Sequence, residues 1–349
     1  MIFNPSKILV VHTWGIGDLV MLTPALGLLR KNFPQAKIDL FVSQAVVGEV
    51  LQENRTINEI LRLDRKKEGF FSKLKFIYQL RKRKYDLALV STGVNPFLAS
   101  LFVFLIGAKF RVGEYRQFRM PLYTHQIKAN EKRHKIYSNL DLLRAVGLKM
   151  KKTPQTFFEF REEDKEFAQD FIRKIGGENK ILIGFHPGAG KQQQFKVWSK
   201  NNFIELGRKI LENNKNAYII LFGGPREKEP CQEIKDKIGG DTFLATTLTL
   251  KQVAALIDNC RVFISSDSGL GHIASTTKTI LISIFGPTEP ERTAPSGERV
   301  HIVKEECSYP YNDLGTLKYD AKRIHGCLEK ITPEAVFNEI EKILERKDA

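Results

Sequence analysis

Short apolar runs alternate along the chain with longer segments whose apolar residues recur at helical spacing. The runs at 8–12 (ILVVH), 38–42, 57–63, 87–90 and 110–112 read as buried strands. The segments at 19–32, 46–53, 70–84, 97–106 and 136–146 read as helices, the one at 97–106 buried. In the first of these, Leu19, Leu22, Leu26 and Leu29 share a face and Pro24 sits in the early turns. A strand that is apolar throughout needs cover on both faces, which crossover helices of a parallel sheet supply. Alternation with short loops therefore predicts a doubly wound parallel sheet.

The alternation pauses twice. Residues 114–135 are polar and irregular and read as a substrate-side loop, and the charge-rich stretch 161–180 ends in Gly176-Gly177-Glu178-Asn179. A second series then begins, with strands at 181–185, 218–222, 242–244, 262–264 and 280–285, and helices at 203–213, 227–238, 250–258 and from Leu270. An amphipathic helix at 334–347 follows, with Val336, Phe337, Ile340, Ile343 and Leu344 on one side. The expectation is an α/β chain with two Rossmann-like parallel-sheet domains, 1–165 and 181–332, joined by a linker at 166–180 and facing across a cleft. A length of 349 residues suits two domains.

Composition changes this picture at one point. At 42% hydrophobic and 27% charged, the chain has the means for an ordinary core. Cys231, Cys260, Cys307 and Cys327 form no CxxC pair and have no histidine at metal-ligand spacing, so they read as reduced thiols and not as a disulfide framework or metal site. No leader is legible in MIFNPSK, and the longest apolar run, Phe97–Ile106, is too short to span a bilayer, so a soluble cytoplasmic protein is expected. The net charge of +15 is unusual, and a field of that sign attracts polyanions. The cations concentrate at Arg62, Arg65, Lys66, Lys67, Lys73, Lys75 and 81–84, with Phe70, Phe71, Leu74, Ile77 and Tyr78 along one side. Such a stretch either lies on an anionic lipid surface or packs its aromatic side on the sheet and solvates its charges. No nucleic-acid reader motif accompanies the charge, so nucleic acid is not an expected partner.

Three loops carry candidate chemistry. HTWGIGD ends the first strand and places Asp18 at a helix start, at the sheet edge where α/β folds bind ligands. Asp18 either caps that helix or presents a carboxylate to a substrate. In HPGAGKQQQFKVWS, Gly188 and Gly190 let backbone approach a ligand, Lys191 reads as a surface residue, and Lys196 lies between Phe195 and Trp198 as a phosphate-binding cation. Trp198 either packs below the loop or caps a base. In ISSDSGLGHIASTTKTILISIFGPTEPER, a helix begins directly after a strand and offers unpaired N–H groups to a phosphate. Asp267 would repel that phosphate, so it caps the helix or orients a neighbour. His272 either donates to a phosphate oxygen or is a satisfied core histidine.

Taken in order, five segments resemble family 9 glycosyltransferases, the ADP-heptose:lipopolysaccharide heptosyltransferase family with the GT-B fold. They are ILVVHTWGIGDLVMLTPALGLLRKNFPQAKIDLFV, YDLALVSTGVNPFLASLFVFLIGAKFRVG, HPGAGKQQQFKVWS, LFGGPREKE and SSDSGLGHIASTTKTILISIFGPTEPERTAP. The resemblance implies inverting, metal-independent transfer of a sugar from a nucleotide donor, ADP-heptose first, to a lipid-linked saccharide acceptor, with no cofactor. It implies Asp18 as general base and Lys196, Asp267, Ser268, Gly269, His272, Gly188 and Glu227 on the donor side. Gly17 and, through FRMP, Arg119 fall on the acceptor side. It also implies peripheral attachment to the anionic cytoplasmic face of the inner membrane, and a last helix, 333–347, that crosses back onto the first domain. A non-catalytic nucleotide-sugar or polyanion binder on the same scaffold is the alternative, as is another nucleotide sugar. A nicotinamide enzyme is disfavoured, because Val20 stands at the third fingerprint position and Phe41-Val42-Ser43 ends the second strand without an acidic residue.

Overall fold

The computed structural model describes residues 4–63, 69–150, 154–190, 193–307 and 326–345. Arg65, Lys66, Lys67, Lys191 and the end of the expected last helix lie outside the described residues. The chain divides into two compact units, Met1–Glu159 and Phe160–Ala349. In order, the first unit contains β1 (Lys7–His12), α1 (Ile16–Asn32), β2 (Lys37–Val42), α2 (Ala45–Gly48), β3 (Glu59–Arg62), α3 (Phe70–Lys82), β4 (Leu87–Val90), α4 (Pro96–Leu105), β5 (Phe110–Tyr115), β6 (His125–Lys128) and α5 (Lys135–Arg144). The second contains α6 (Glu162–Lys174), β7 (Ile181–His186), α7 (Lys200–Asn213), β8 (Ala217–Phe222), α8 (Lys228–Ile238), β9 (Thr242–Ala245), α9 (Leu250–Ile257), β10 (Val262–Ser266), α10 (Gly269–Ala274), β11 (Ile280–Phe285), α11 (Pro290–Thr293), β12 (Val300–Lys304) and a last helix, Pro333–Glu345.

Each unit holds a six-stranded sheet, in the orders β3-β2-β1-β4-β5-β6 and β12-β11-β10-β7-β8-β9. All pairings are parallel. Counted from its own first strand, each sheet has the same order, so the α/β expectation holds as two Rossmann-like sheets. The order reverses between β1 and β4 in one sheet and between β7 and β10 in the other. Ligands of open parallel sheets bind just outside the carboxyl ends at such a reversal.

Local chemistry explains the elements that frame these points. β1 and β2 are buried after their first residue, as strands covered on both faces must be. α1 carries Pro24 inside a buried helix. Pro24 has no N–H for Val20 O, and the Thr23 hydroxyl donates to that carbonyl instead, at 2.7 Å. Asp39, buried on β2, accepts from Tyr85 Oη at 2.7 Å and pairs with Arg83 at 3.0 Å. It is therefore spent on packing and not on a ribose.

Several expectations are corrected. The 114–135 stretch is not one irregular loop, for it contains β6, which pairs with β5 from Val112↔His125 to Tyr115↔Lys128. Four residues of mixed polarity carry no readable period, and only the neighbouring strand defines them. The expected linker at 166–180 is largely α6, which opens on a hydrogen bond from Arg161 N to Asp164 Oδ2. Ala168 and Ile172 bury α6 in the core of the second unit, so the boundary falls at Glu159/Phe160. The last helix, expected to return to the first domain, is part of the second unit and packs on α7 there. Its Val336, Phe337, Ile340 and Ile343 share a core with Phe203 and Ile210, and Trp198 Nε1 donates to Ile331 O at 2.9 Å just before it. α4 is not a buried helix. Ala99, Ser100 and Val103 face inward, while Phe97, Leu98, Phe104 and Leu105 are exposed. On α3, Phe70, Phe71, Leu74 and Tyr78 are exposed too, while Ile77 packs on the core with Phe76, so only part of the apolar side of the basic stretch packs on the sheet. Among the described residues, no helix is long and apolar enough to cross a membrane.

Candidate active site

At the reversal point of the first sheet, β1 ends in His12 and α1 begins with Gly15 as N-cap. Asp18 is thus in the first turn and is not the cap, which closes one of its two sequence readings. Its Oδ1 accepts from Lys135 Nζ at 2.7 Å, and the two side chains are 21% and 13% exposed. Lys135 also lies 5.4 Å from the Trp14 ring centroid. A carboxylate in a helix's first turn is favoured by the dipole, and a paired lysine favours its ionised form further. His12 is buried behind the loop, with Nδ1 3.0 Å from Ser91 Oγ and Nε2 3.4 Å from Gly15 O. Donation from Nε2 to the carbonyl leaves Nδ1 to accept the serine proton. Burial lowers the His12 pKa, against the opposing pull of Asp18, so the ring supports the loop as a neutral group. Gly93, at φ +85, leaves room for Trp14, whose Nε1 would be 3.1 Å from a Cβ there. Gly17 is the residue before Asp18 in the same turn. Arg119 follows β5 on the same sheet edge, exposed, with its guanidinium 5.6 Å from the Tyr115 ring.

The second sheet repeats the plan with other chemistry. β7 ends in His186, whose Nδ1 lies 2.9 Å from Ser268 Oγ, just past β10. Ser268 caps α10 by accepting from Gly271 N at 3.3 Å. Its hydroxyl proton is then free to go to His186 Nδ1, and His186 Nε2 points to Glu227 Oε2 at 3.5 Å. Glu227 also accepts from Gly224 N at 2.8 Å. The carboxylate therefore ties the loops after β7 and β8 together. Burial raises its pKa, but hydrogen bonds from His186, Gly224 and Gly190 outweigh burial and bring it to about 2. Gly188 is needed for this arrangement, since a Cβ there would stand 2.0 Å from Glu227 Oε1. The open approach belongs to Gly190, at φ +76 with nothing near its Cβ position.

Lys196 is only 8% exposed and pairs with Asp267 Oδ2 at 2.8 Å. Asp267 also accepts from Thr288 Oγ1 at 2.8 Å. Burial pushes the Asp267 pKa up, and Lys196, with His272 and Thr288, holds it below its ordinary value all the same. Asp267 accordingly orients the lysine, and Ser268 is the cap. His272 is buried beside Asp267 on the short α10, whose N1 residue is Gly269. Trp198 is fully buried, donates its backbone N–H to Ser266 Oγ at 3.0 Å and stacks edge-on with Phe203, so it supports the loop from below.

The family model described as "Glycosyltransferase family 9 (heptosyltransferase)" matches residues 73–317. The chain belongs to glycosyltransferase family 9. It is 26% identical to lipopolysaccharide heptosyltransferase 2 of Salmonella typhimurium, with 97% of this chain and 98% of that protein covered. It is 28% identical to lipopolysaccharide heptosyltransferase 3 of Escherichia coli K12, covering 78% of this chain and 80% of that one. The solved structure of E. coli ADP-heptose lps heptosyltransferase II superposes with a TM-score of 0.77 at 22% identity, covering 98% of this chain and all of the other. The two sheets are those of a GT-B glycosyltransferase.

In this glycosyltransferase the structure gathers Lys196, Asp267, Ser268, Gly269, His272, Gly188 and Glu227 around the reversal point of one sheet, and puts Asp18 and Gly17 at that of the other. Lys135, His12, His186 and Thr288 escaped the sequence reading. Lys135 lies 117 residues from its partner, beyond any local pattern. The histidines had a signal, because HTWG and HPGAG both put histidine last in a unit's first strand.

Glu227 gives a pH dependence that can be measured. Its folded pKa of about 2 lies below the ordinary 4.5. Its contribution to stability is therefore complete above the unfolded value and is lost as pH falls through 4.5 toward 2. Urea midpoints measured across this window should fall more steeply for the native chain than for Glu227→Gln, whose glutamine does not titrate.

Proposed function

We propose that this chain is an inverting, metal-independent heptosyltransferase that moves heptose from ADP-heptose onto a lipopolysaccharide core or a related lipid-linked acceptor. It would act peripherally at the cytoplasmic face of the inner membrane. The names of the relatives, lipopolysaccharide heptosyltransferases 2 and 3, support the donor and acceptor class. The observation that carries the reading is Lys196, a cation held almost without solvent by Asp267 at the ligand end of the second sheet.

Asp18 takes the proton of the acceptor hydroxyl as its oxygen attacks the anomeric carbon from the face opposite the nucleotide. The bond from that carbon to the diphosphate breaks, and ADP leaves with both electrons. Lys196 and His272 meet the charge that grows on the diphosphate, and because both are already fixed, little reorganisation is needed. Glu227, held in its ionised form, offers acceptor oxygens to donor hydroxyls. Gly17 and Arg119 border the acceptor.

Thermal shift with ADP-, GDP- and UDP-sugars tests the donor, since a ligand that binds the folded state alone raises apparent stability. ADP-heptose should raise the midpoint, and mass spectrometry should show heptose added to a core acceptor. A shift with UDP-sugars alone would overturn the assignment of the donor. Donor binding with neither nucleotide release nor transfer would make the chain a binder.

A further inference from the structure

Lys135 stands in an unfavourable place for a lysine. It is the first residue of α5, where the helix dipole repels a cation. His134 caps that helix by accepting from Ile136 N at 3.3 Å, so α5 begins without help from the lysine. A lysine ordinarily keeps its ammonium in water, yet this side chain is only 13% exposed. Two groups fix where it goes. Asp18 Oδ1 accepts from Nζ at 2.7 Å, and the Trp14 ring centroid lies 5.4 Å from the same nitrogen. Trp14 is seated in turn by Gly93, whose positive φ and missing Cβ leave room for the indole. A carboxylate and a ring together hold an ammonium more narrowly than either alone.

Packing does not explain the pair. α1 and α5 lie against each other, and each buries its own apolar residues, Leu19, Leu22 and Leu26 on one, Ile136, Leu140 and Leu143 on the other. A partly exposed ion pair adds little to such a contact. Its effect on the carboxylate is larger. A cation beside an aspartate favours the ionised form, so the group can accept a proton over a wider range of pH. Among the described residues, His12 from β1 also faces Asp18, but burial holds it neutral, so its charge does not replace the lysine's. Arg133 and Arg144, beside and on α5, pair with Asp141. On the other flank of α1, α2 has no titratable side chain and the turn after it carries Glu49.

We infer that Lys135 is a positioning residue for the reaction: clamped between Trp14 and Asp18, it holds the Asp18 carboxylate in one orientation and keeps it ionised for the acceptor's proton. This role rests on the proposed duty of Asp18 as general base. Asp18 gains the proton of the acceptor hydroxyl, and the ammonium keeps its own throughout.

The test is kcat/KM for a core acceptor, with ADP-heptose saturating, from about pH 4 to 8 in the native chain, K135M and K135R. Circular dichroism shows that each stays folded across the range. K135M should lower kcat by roughly tenfold to a hundredfold, the scale of a misplaced catalytic group, with the KM for ADP-heptose unchanged. Its acidic limb should lie about one pH unit above the native limb, as for an aspartate that loses a cationic neighbour. K135R keeps the charge and should bring the limb back. Carbon-13 NMR of the Asp18 carboxyl, assigned by its absence in D18N, should show the same upward titration in K135M and reads the effect where turnover is slow. In the D18N background, K135M should cost nothing further. A limb and a carboxyl titration unmoved in K135M, a loss confined to the KM for the acceptor, or an equal loss in the D18N background would overturn the inference, for the lysine would then serve the fold or the acceptor directly. Near-normal turnover in D18N would instead remove the base itself, so the two failures are told apart.

Discussion

Asp18→Asn lowers kcat by roughly a hundredfold to ten-thousandfold while donor binding persists. Loss of a positioned general base costs about that much, and asparagine keeps the shape but cannot take the acceptor proton. The hydrogen bond from Lys135 Nζ at 2.7 Å can be kept by the amide oxygen, so the loop should hold its place. Steady-state turnover on a core acceptor, with the ADP-heptose thermal shift in parallel, checks both halves. Near-normal turnover in the variant would remove Asp18 from the chemistry. Loss of the donor shift along with turnover would mean that the substitution disturbed folding or the donor site.

Lys196→Met abolishes turnover and also destabilises the fold. Asp267 is 4% exposed, and without Lys196 its carboxylate loses its paired cation and is left with the Thr288 hydroxyl and the charge of His272 against burial. Breaking a buried ion pair on one side costs roughly 3–5 kcal/mol, because the remaining charge is uncompensated, whereas removing both charges often costs little. The double variant K196M/D267N should therefore recover most of the urea stability lost by the single one and remain inactive. Recovery of activity with stability would show that the lysine serves the fold alone. A fully stable single variant would show that Asp267 does not need it.

The resemblance carried by five segments pointed to the proposed donor residues, but what each side chain touches came from the structure. Asp18 could be a cap or a base until Gly15 proved to be the cap. Asp267 could be a cap or an orienting group until Lys196 was found on its carboxylate. Glu227 gained most. In LFGGPREKE it is one of two acids, and in the structure it fills the space that Gly188 leaves and joins two loops. The errors share one cause. The charge of the 161–180 stretch suggests a linker, yet Ala168 and Ile172 suffice to bury one face of a helix once a core lies beside it. The apolar content of α4 suggests a buried helix, yet content does not say whether a neighbour exists to cover the outer face.

By itself, the sequence determined the alternation of strand and helix, the parallel sheets, the two units and the three loops at the strand ends. These are local properties, set by side-chain period and by glycine, proline and small polar residues at turns. The tertiary structure alone decided which charges are paired, which apolar faces remain open, and where the last helix docks. Those outcomes depend on residues distant in the chain, such as Lys135 with Asp18 and Lys196 with Asp267, and pairing across such separations leaves no period to read.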